Sequence, residues 1–422
     1  MQKDNPDWRK CMYKRNLSNI IDNLLRNFPA VVLTGARQCG KSFLAKCVRP
    51  DWEYFDLERQ SVRELILSDI ELFLKNHRGK VILDEAQLFP EILAALRSAI
   101  DEDRDHLNRF LITGSSSPEL LKVAAESLAG RAGIVELAPL KMNEVCGEPL
   151  PDFYRIFENR FSLSTIEVLR SLKPTRSYND VIHCWLHGGY PEPLQRDDGE
   201  FYRLWPENYL KTYVERDIKR LFPQINDSNY RKFISVLKDF HGQSINLADI
   251  ARSLLCSETT VKSYIDVANY SFIWRFLGSY ERTTLRSIVK HPRGMYRDSG
   301  VFHFLSSIST AAELEVSRYK GHSFECFVIE EITRGLAATS ASNLNSYFFR
   351  TRGGSEVDLV LEGSFGVLPI EIKCASSVTA KDVQGLVDFI DREGCQFGLV
   401  VNFCDSVNQI AEKVFTIPVT LI

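Results

Sequence analysis

The run Gly35-Ala36-Arg37-Gln38-Cys39-Gly40-Lys41-Ser42 places two glycines ahead of a lysine and a hydroxyl. Glycines let successive backbone N–H groups turn inward around an anion, and a lysine adds a positive point charge. A serine hydroxyl at the end offers an oxygen to a hard cation. This is the chemistry of ATP held with Mg2+: residues 35–42 wrap the phosphates, Lys41 reaches the β and γ phosphates, and Ser42 ligates the metal. A second group follows in Lys80-Val81-Ile82-Leu83-Asp84-Glu85-Ala86-Gln87, where an apolar stretch ends in two carboxylates. Burying a charge without a partner is costly, so both need a reason. Asp84 is placed to hold the magnesium water shell, and Glu85 to polarise the attacking water. The plainer alternative is that Asp84 caps the next helix.

Arg109-Phe110-Leu111-Ile112-Thr113-Gly114-Ser115-Ser116 ends in hydroxyls, and Ser115 is the candidate γ-phosphate sensor, set against an ordinary serine-rich turn. In Ser127-Leu128-Ala129-Gly130-Arg131, Arg131 is a candidate for stabilising transition-state charge, on a neighbouring subunit's nucleotide or on its own. A surface salt bridge is the alternative. Arg216 is a second such candidate, against a solvated helix face.

Near the C-terminus, charge interrupts apolar strands. Asp358 stands inside Val357-Asp358-Leu359-Val360-Leu361, and Glu371 and Lys373 flank Ile372. The two-residue period of a strand puts Glu371 and Lys373 on one face, and an adjacent strand can bring Asp358 alongside. Two carboxylates with a lysine make an oxygen-rich site for Mg2+, and Glu325 from a preceding helix adds a further ligand. Glu371 and Lys373 also fit a simple salt bridge on a solvated sheet face. Arg350 and Arg352 beside them suit phosphate contacts or plain surface charge.

The elements that must position these groups are legible in outline. An amphipathic helix from Leu17 to Leu25 precedes the apolar strand Ala30–Leu33, and a helix follows the glycine-rich turn. With strands at 81–83, 109–113 and 133–137, the pattern predicts an α/β domain built on a parallel sheet of about five strands. Residues 139–225 read as mostly helical. Ile245–Ala251, a turn at 254–257 and Glu258–Val267 read as helix-turn-helix, with a hairpin-like wing after Leu277. Leu255 stands where such turns often carry glycine. Lys262 on the second helix, and Arg282, Arg286, Lys290 and Arg293 around the wing, are the available basic residues. From about 313 the pattern is α/β again: a helix from His322 to Leu336, strands at 346–351, 355–361 and 366–373, a helix at 381–392 and a strand at 397–402. The expected division is 1–140, 141–225, 226–312 and 313–422.

Of the 422 residues, 44% are hydrophobic and 25% charged, ordinary globular composition. The formal net charge of -3 excludes a uniformly basic field, so nucleic-acid contact must come from local patches. No apolar run approaches the roughly 20 residues of a membrane helix, and no signal-peptide core opens the chain. The 10 cysteines lack a CxxC pair or zinc-ligand spacing and read as reduced thiols, which suits a cytoplasmic protein.

Together, residues 33–42, Leu83-Asp84-Glu85-Ala86-Gln87, Thr113-Gly114-Ser115-Ser116 and Ser127-Leu128-Ala129-Gly130-Arg131 resemble a known family. Gly188-Gly189-Tyr190-Pro191-Glu192, Thr212-Tyr213-Val214-Glu215-Arg216-Asp217, Gly321-His322-Ser323-Phe324-Glu325, Glu356-Val357-Asp358-Leu359 and Ile370-Glu371-Ile372-Lys373 extend the resemblance over nearly the whole chain. The family is the prokaryotic group of AAA-type P-loop ATPases whose C-terminal domain resembles PD-(D/E)XK nucleases. The resemblance implies an ATPase core, a winged helix and a nuclease-like fold in that order, with Glu325, Asp358, Glu371 and Lys373 as the nuclease-like constellation. Cys39, in the glycine-rich loop, either accommodates nucleotide indifferently or makes the site oxidation-sensitive.

Two functional classes follow. In one, ATP hydrolysis is coupled to Mg2+-dependent processing of nucleic acid, with DNA the expected partner. In the other, the nucleotide drives a switch whose C-terminal domains bind DNA or a partner protein without cutting. A homo-oligomer is expected if Arg131 acts across a subunit boundary.

Overall fold

The computed structural model describes residues 13–114, 126–280, 292–351 and 355–422. Ser115, Arg282, Arg286, Lys290 and Arg352 therefore lie outside the described residues, as does the Gly353-Gly354 turn. The chain forms two compact units, Met1–Leu140 with Tyr270–Phe272, and Lys141–Asn269 with Ile273–Ile422.

The first unit is a parallel sheet between helices. Its strands are β1 (Ala30–Gly35), β2 (Glu53–Asp56), β3 (Val81–Asp84), β4 (Phe110–Thr113) and β5 (Ala132–Leu137), in the order β2-β3-β4-β1-β5. Strands β1, β3 and β4 are buried along their whole length, which explains their unbroken apolar runs. Helix α1 (Ser18–Asn27) lays Ile21 and Leu25 into the core, and α2 (Lys41–Val48) leaves the turn after β1. The sheet matches the parallel five-stranded expectation. The sequence did not signal β2, a short and largely polar edge strand, although it carries a residue of the site.

The second unit contains a nine-stranded sheet, which runs through what the sequence divides into separate segments. Its strands are β6 (Gln243–Ser244), β7 (Trp274–Ser279), β8 (Arg293–Tyr296), β9 (Asn345–Arg350), β10 (Glu356–Gly363), β11 (Gly366–Ile372), β12 (Gly398–Asn402), β13 (Asn408–Ala411) and β14 (Val414–Pro418). The order is β13-β14-β12-β11-β10-β9-β7-β8-β6. The junction is the parallel pairing of β7 with β9, Gly278 opposite Tyr347 and Ser279 opposite Phe348. Ahead of it come the helix Asp227–Leu237, β6, the helices Leu247–Leu254 and Glu258–Tyr270, and the antiparallel pair β7–β8. Leu255 takes the left-handed conformation, φ 53°, that the turn between the two helices demands, and its side chain is 95% exposed.

Antiparallel β10 and β11 place Leu359 opposite Ile370. The same register sets Asp358 opposite Glu371, on one face of the sheet. The helix Lys320–Leu336 supplies much of the core through Phe324, Phe327, Val328 and Ile332. Among the described residues no helix is long and apolar enough to cross a membrane. Cys47 is disulfide-bonded, a departure from the all-reduced expectation, whereas Cys39, Cys146, Cys184, Cys256, Cys326, Cys374, Cys395 and Cys404 keep their thiols out of disulfides.

Candidate functional site

The loop of residues 35–42 joins β1 to α2, the strand–turn–helix setting that its glycines require. Gly35 has φ 144°, and a Cβ there would stand 2.1 Å from the Leu137 carbonyl oxygen. No other residue fits. Gly40, at φ 98°, caps α2 in a left-handed conformation and lets the first helical N–H groups face the loop. Arg15 braces the loop from outside: its Nη1 donates to the Cys39 carbonyl at 2.9 Å and its Nη2 to the Ala138 carbonyl at 2.6 Å. Sequence reasoning missed Arg15, which stands 24 residues before its nearest loop partner. Cys39 is fully buried with its thiol on the Leu137 carbonyl at 3.3 Å, which favours the indifferent reading over oxidation sensitivity. Ala36 is buried, Arg37 half-buried and Gln38 exposed.

Lys41 is only 5% exposed, and its Nζ donates to the Gly35 carbonyl at 3.0 Å and the Ala36 carbonyl at 2.8 Å. The ammonium is thus folded back on its own loop. At the neighbouring strand end, Ser42 Oγ donates to Asp84 Oδ1 at 2.9 Å. The Tyr54 hydroxyl donates to the other Asp84 oxygen, and Thr113 Oγ1 donates to Oδ1. Burial, then the hydrogen bond to Asp84, pushes the Tyr54 phenol far up, so it stays a protonated donor. Asp84, 4% exposed, is therefore held by three neutral hydroxyls from α2, β2 and β4. It is no helix cap. Glu85 sits at φ 58°, a conformation unusual for glutamate and common where function constrains the backbone. Its carboxylate accepts from Gln87 Nε2, and its N–H points at Thr113 Oγ1 at 3.4 Å.

Thr113 and Tyr54 are the site residues that sequence reasoning passed over. The candidate chosen on that strand, Ser115, lies two positions beyond Thr113 and outside the described residues. Arg131 is paired through Nε and Nη2 with the two Asp101 carboxylate oxygens at 2.7 and 2.8 Å. It precedes β5 at the end where Ala30 pairs with Ala132, whereas the glycine-rich loop begins at the other end, where Gly35 pairs with Leu137. Five strand residues at about 3.3 Å each separate it from that loop, so the Arg131 side chain does not reach the glycine-rich loop of its own chain. Arg216 is exposed, in the segment Tyr213–Ile218 of the second unit.

The C-terminal carboxylates form a second cluster. Asp358 and Glu371 are 4% and 7% exposed. Burial, then repulsion from Glu371 and Glu325, pushes the Asp358 carboxyl well up; burial likewise raises Glu371, against the pull of Lys373. Lys373 Nζ donates to Glu371 Oε1 at 2.6 Å, while among the described residues the buried Glu371 Oε2 has no hydrogen-bond partner. Asp358 Oδ2 accepts from the Ile372 N–H at 2.9 Å. Glu325 Oε2 pairs with His322 Nδ1 at 3.3 Å. The structure thus brings Asp358, Glu371 and Lys373 to one face with Glu325 in electrostatic range. Among the described residues, however, no group of three or more His, Cys, Asp or Glu side chains is arranged to hold a metal ion.

One of these carboxylates also faces Arg293. From β8 its guanidinium reaches Asp358 Oδ1 at 3.4 Å and also donates to Glu356. Arg293 is 8% exposed. It is therefore not available to a basic surface around the wing, as its sequence position suggested. Arg350 is exposed and lies 3.8 Å from Glu356.

Residues 27–146 match a family model described as an AAA domain. Residues 178–312 and 320–422 match models described as domains of unknown function, DUF8612 and DUF4143. The chain is 32% identical over 385 residues to the uncharacterized protein Rv2008c of Mycobacterium tuberculosis, covering 90% of this chain and 78% of that one. The uncharacterized protein Mb2031c of Mycobacterium bovis matches at the same 32% over 385 residues, with the same 90% and 78% coverage. Among solved structures, the Walker-type ATPase PABY2304 of Pyrococcus abyssi is similar at 16% identity and a TM-score of 0.43, over 68% of this chain and 94% of that one.

Proposed function

Since this chain belongs to the family of the mycobacterial proteins Rv2008c and Mb2031c and opens with an AAA domain, we propose that it binds and hydrolyses ATP. The observation that carries this is the convergence of Lys41, Ser42, Asp84 and Glu85 at the carboxyl ends of β1 and β3. The loop N–H groups and Lys41 hold the phosphates, the ammonium exchanging its carbonyl partners for phosphate oxygens. Ser42 Oγ and Asp84 lie 2.9 Å apart, an oxygen pair suited to Mg2+, which when bound would neutralise phosphate charge. Glu85 orients the attacking water, and Thr113 ties Asp84 to the sensor strand. Residues 35–42 are the nucleotide-binding segment and Ser115 the companion sensor. Arg131 serves catalysis only in a homo-oligomer, on a neighbour's nucleotide; within one chain it is the partner of Asp101.

The ATPase is coupled to a nucleic-acid-processing second unit in this reading, with a cytoplasmic location and DNA as the partner. The order helix, strand, helix, turn, helix, hairpin over residues 227–296 supports a winged helix, with Lys262 exposed on its second paired helix. The buried Asp358–Glu371 pair and the orphaned Glu371 oxygen support a PD-(D/E)XK-like site in 313–422, with Glu325, Asp358 and Glu371 as Mg2+ ligands and Lys373 as the positioning ammonium. The oxygen donors suit the metal in kind. One observation favours the alternative, a nucleotide-driven switch that binds DNA or a partner protein without cleavage: the carboxylates are already matched by Arg293 and Lys373. The ATPase test is turnover with Mg2+. Glu85→Gln is expected to keep ATP binding and lose hydrolysis, and a wild type without turnover would refute the proposal.

A further inference from the structure

The carboxylate cluster of the second unit gathers Glu325, Glu356, Asp358 and Glu371, and the way it is compensated is specific. Glu371 and Glu325 act on Asp358, and Glu325 and Glu356 act on Glu371. Lys373 takes Glu371 Oε1, and the Ile372 N–H takes Asp358 Oδ2. Asp358 Oδ1 and Glu356 are both met by one side chain, Arg293. That side chain arrives from β8, three places away from β10 in the sheet order β10-β9-β7-β8. An irregularity between Val357 and Val360, where β10 pairs with β9, lies at the point of delivery. Its position is fixed: Gly294 leaves no room for a Cβ, which would stand 2.4 Å from the Trp274 ring, and the guanidinium lies 5.5 Å from the centre of the Phe348 ring. Beside it, Glu371 Oε2 is buried and has no hydrogen-bond partner among the described residues, an acceptor that the arginine does not satisfy.

We propose that Arg293 is the built-in counter-ion of this cluster, and that a divalent cation binds to Asp358 and Glu371 only when the Arg293 guanidinium withdraws. The inference rests on the reading of these carboxylates as metal ligands and adds the condition under which they act. A guanidinium cannot shed its charge by losing a proton. Metal and arginine together would crowd two like charges onto the same oxygens, so they exclude one another. The strand pair that delivers Arg293 belongs to the helix-turn-helix segment, so the occupancy of the C-terminal site is set by that segment's strand rather than by the C-terminal segment alone. This accounts for a cluster with metal-binding donors but no metal-binding arrangement among the described residues.

The test is Mn2+ binding to the nucleotide-free full chain, followed by the electron paramagnetic resonance signal of the free ion. Arg293→Gln is expected to bind one Mn2+ about tenfold or more tighter than wild type, and Arg293→Gln with Asp358→Asn to lose it. Arg293→Lys, which keeps a cation, stays as weak as wild type. Glu356→Gln leaves Arg293 in place but removes its second anchor, and covers the case in which Arg293→Gln fails to fold. It is expected to tighten Mn2+ binding although it deletes a carboxylate, whereas an ordinary acidic cluster would bind more weakly. Equal, Asp358-dependent affinity in wild type and Arg293→Gln would overturn the competition and leave the metal reading standing. No Asp358-dependent Mn2+ in any variant would overturn the metal reading itself.

Discussion

Asp84 and Asp358 are both aspartates buried to 4% exposure on strands, yet they are compensated in opposite ways. Asp84 is held by Ser42, Tyr54 and Thr113, neutral hydroxyls that need no charge expelled before a cation approaches. Asp358 faces Arg293 and sits opposite Glu371, itself bound to Lys373. A hydroxyl can turn from donor to ligand by rotating, but a guanidinium must leave. In the proposed account, the first unit therefore offers a carboxylate that needs no cation displaced, and the second one whose partner is a guanidinium. The burial of a carboxylate does not by itself tell these cases apart; the charge of its partners does.

The largest effect that can break this comparison is at Lys41. Lys41→Ala is expected to lower ATP turnover by about a hundredfold or more, measured by phosphate release, and to leave Mn2+ binding at Asp358 untouched. Next, Thr113→Val removes a donor to Asp84 and should lower turnover about tenfold, as loss of a hydrogen bond to a charged group does. A neutral result would separate the sensor strand from Asp84. A third prediction loads only the second unit. Burial holds the His303 pKa down at about 4, between the Leu186 carbonyl and Ser323 Oγ. The unfolded chain takes up a proton near pH 6.5 and the folded chain does not, so stability is lost as the pH falls from there towards 4. The loss amounts to up to about 3 kcal/mol. Thermal melts of His303→Gln should be flatter than wild type across that window. The smallest effect is at Arg131: Arg131→Ala should leave turnover unchanged in a monomer, and lower it only in a homo-oligomer, resolved by mass photometry beside the assay.

What the sequence discloses follows the same division. The glycine-rich loop and Asp84-Glu85 are legible because their chemistry is local: glycines at required backbone angles, then consecutive carboxylates after an apolar strand. Arg15, Tyr54 and Thr113 were not, because each meets the site through tertiary contact, from before α1, from a short polar edge strand, and from a strand whose later serines attracted attention. At the second site, period two and the apolar context marked Asp358, Glu371 and Lys373. Nothing marked Arg293, 65 residues before Asp358, as that carboxylate's partner, because the pairing depends on how β8 joins a sheet nine strands wide. The wing reading even assigned it to the surface. Strands β13 and β14 were also missed. The fold class is written in hydrophobic pattern; the partners of buried charge are written in topology.

The most direct test of the two-site account is ATP hydrolysis measured beside Mg2+-dependent cleavage of mixed single- and double-stranded DNA and RNA, in wild type, Lys41→Ala, Asp358→Ala and Arg293→Gln. The account predicts that hydrolysis is lost in Lys41→Ala alone, that cleavage is lost in Asp358→Ala with hydrolysis intact, and that Arg293→Gln cleaves faster than wild type. Hydrolysis retained in Lys41→Ala, or lost in Asp358→Ala, would contradict it; cleavage in no variant at all would leave the ATPase and make the second unit a binding switch.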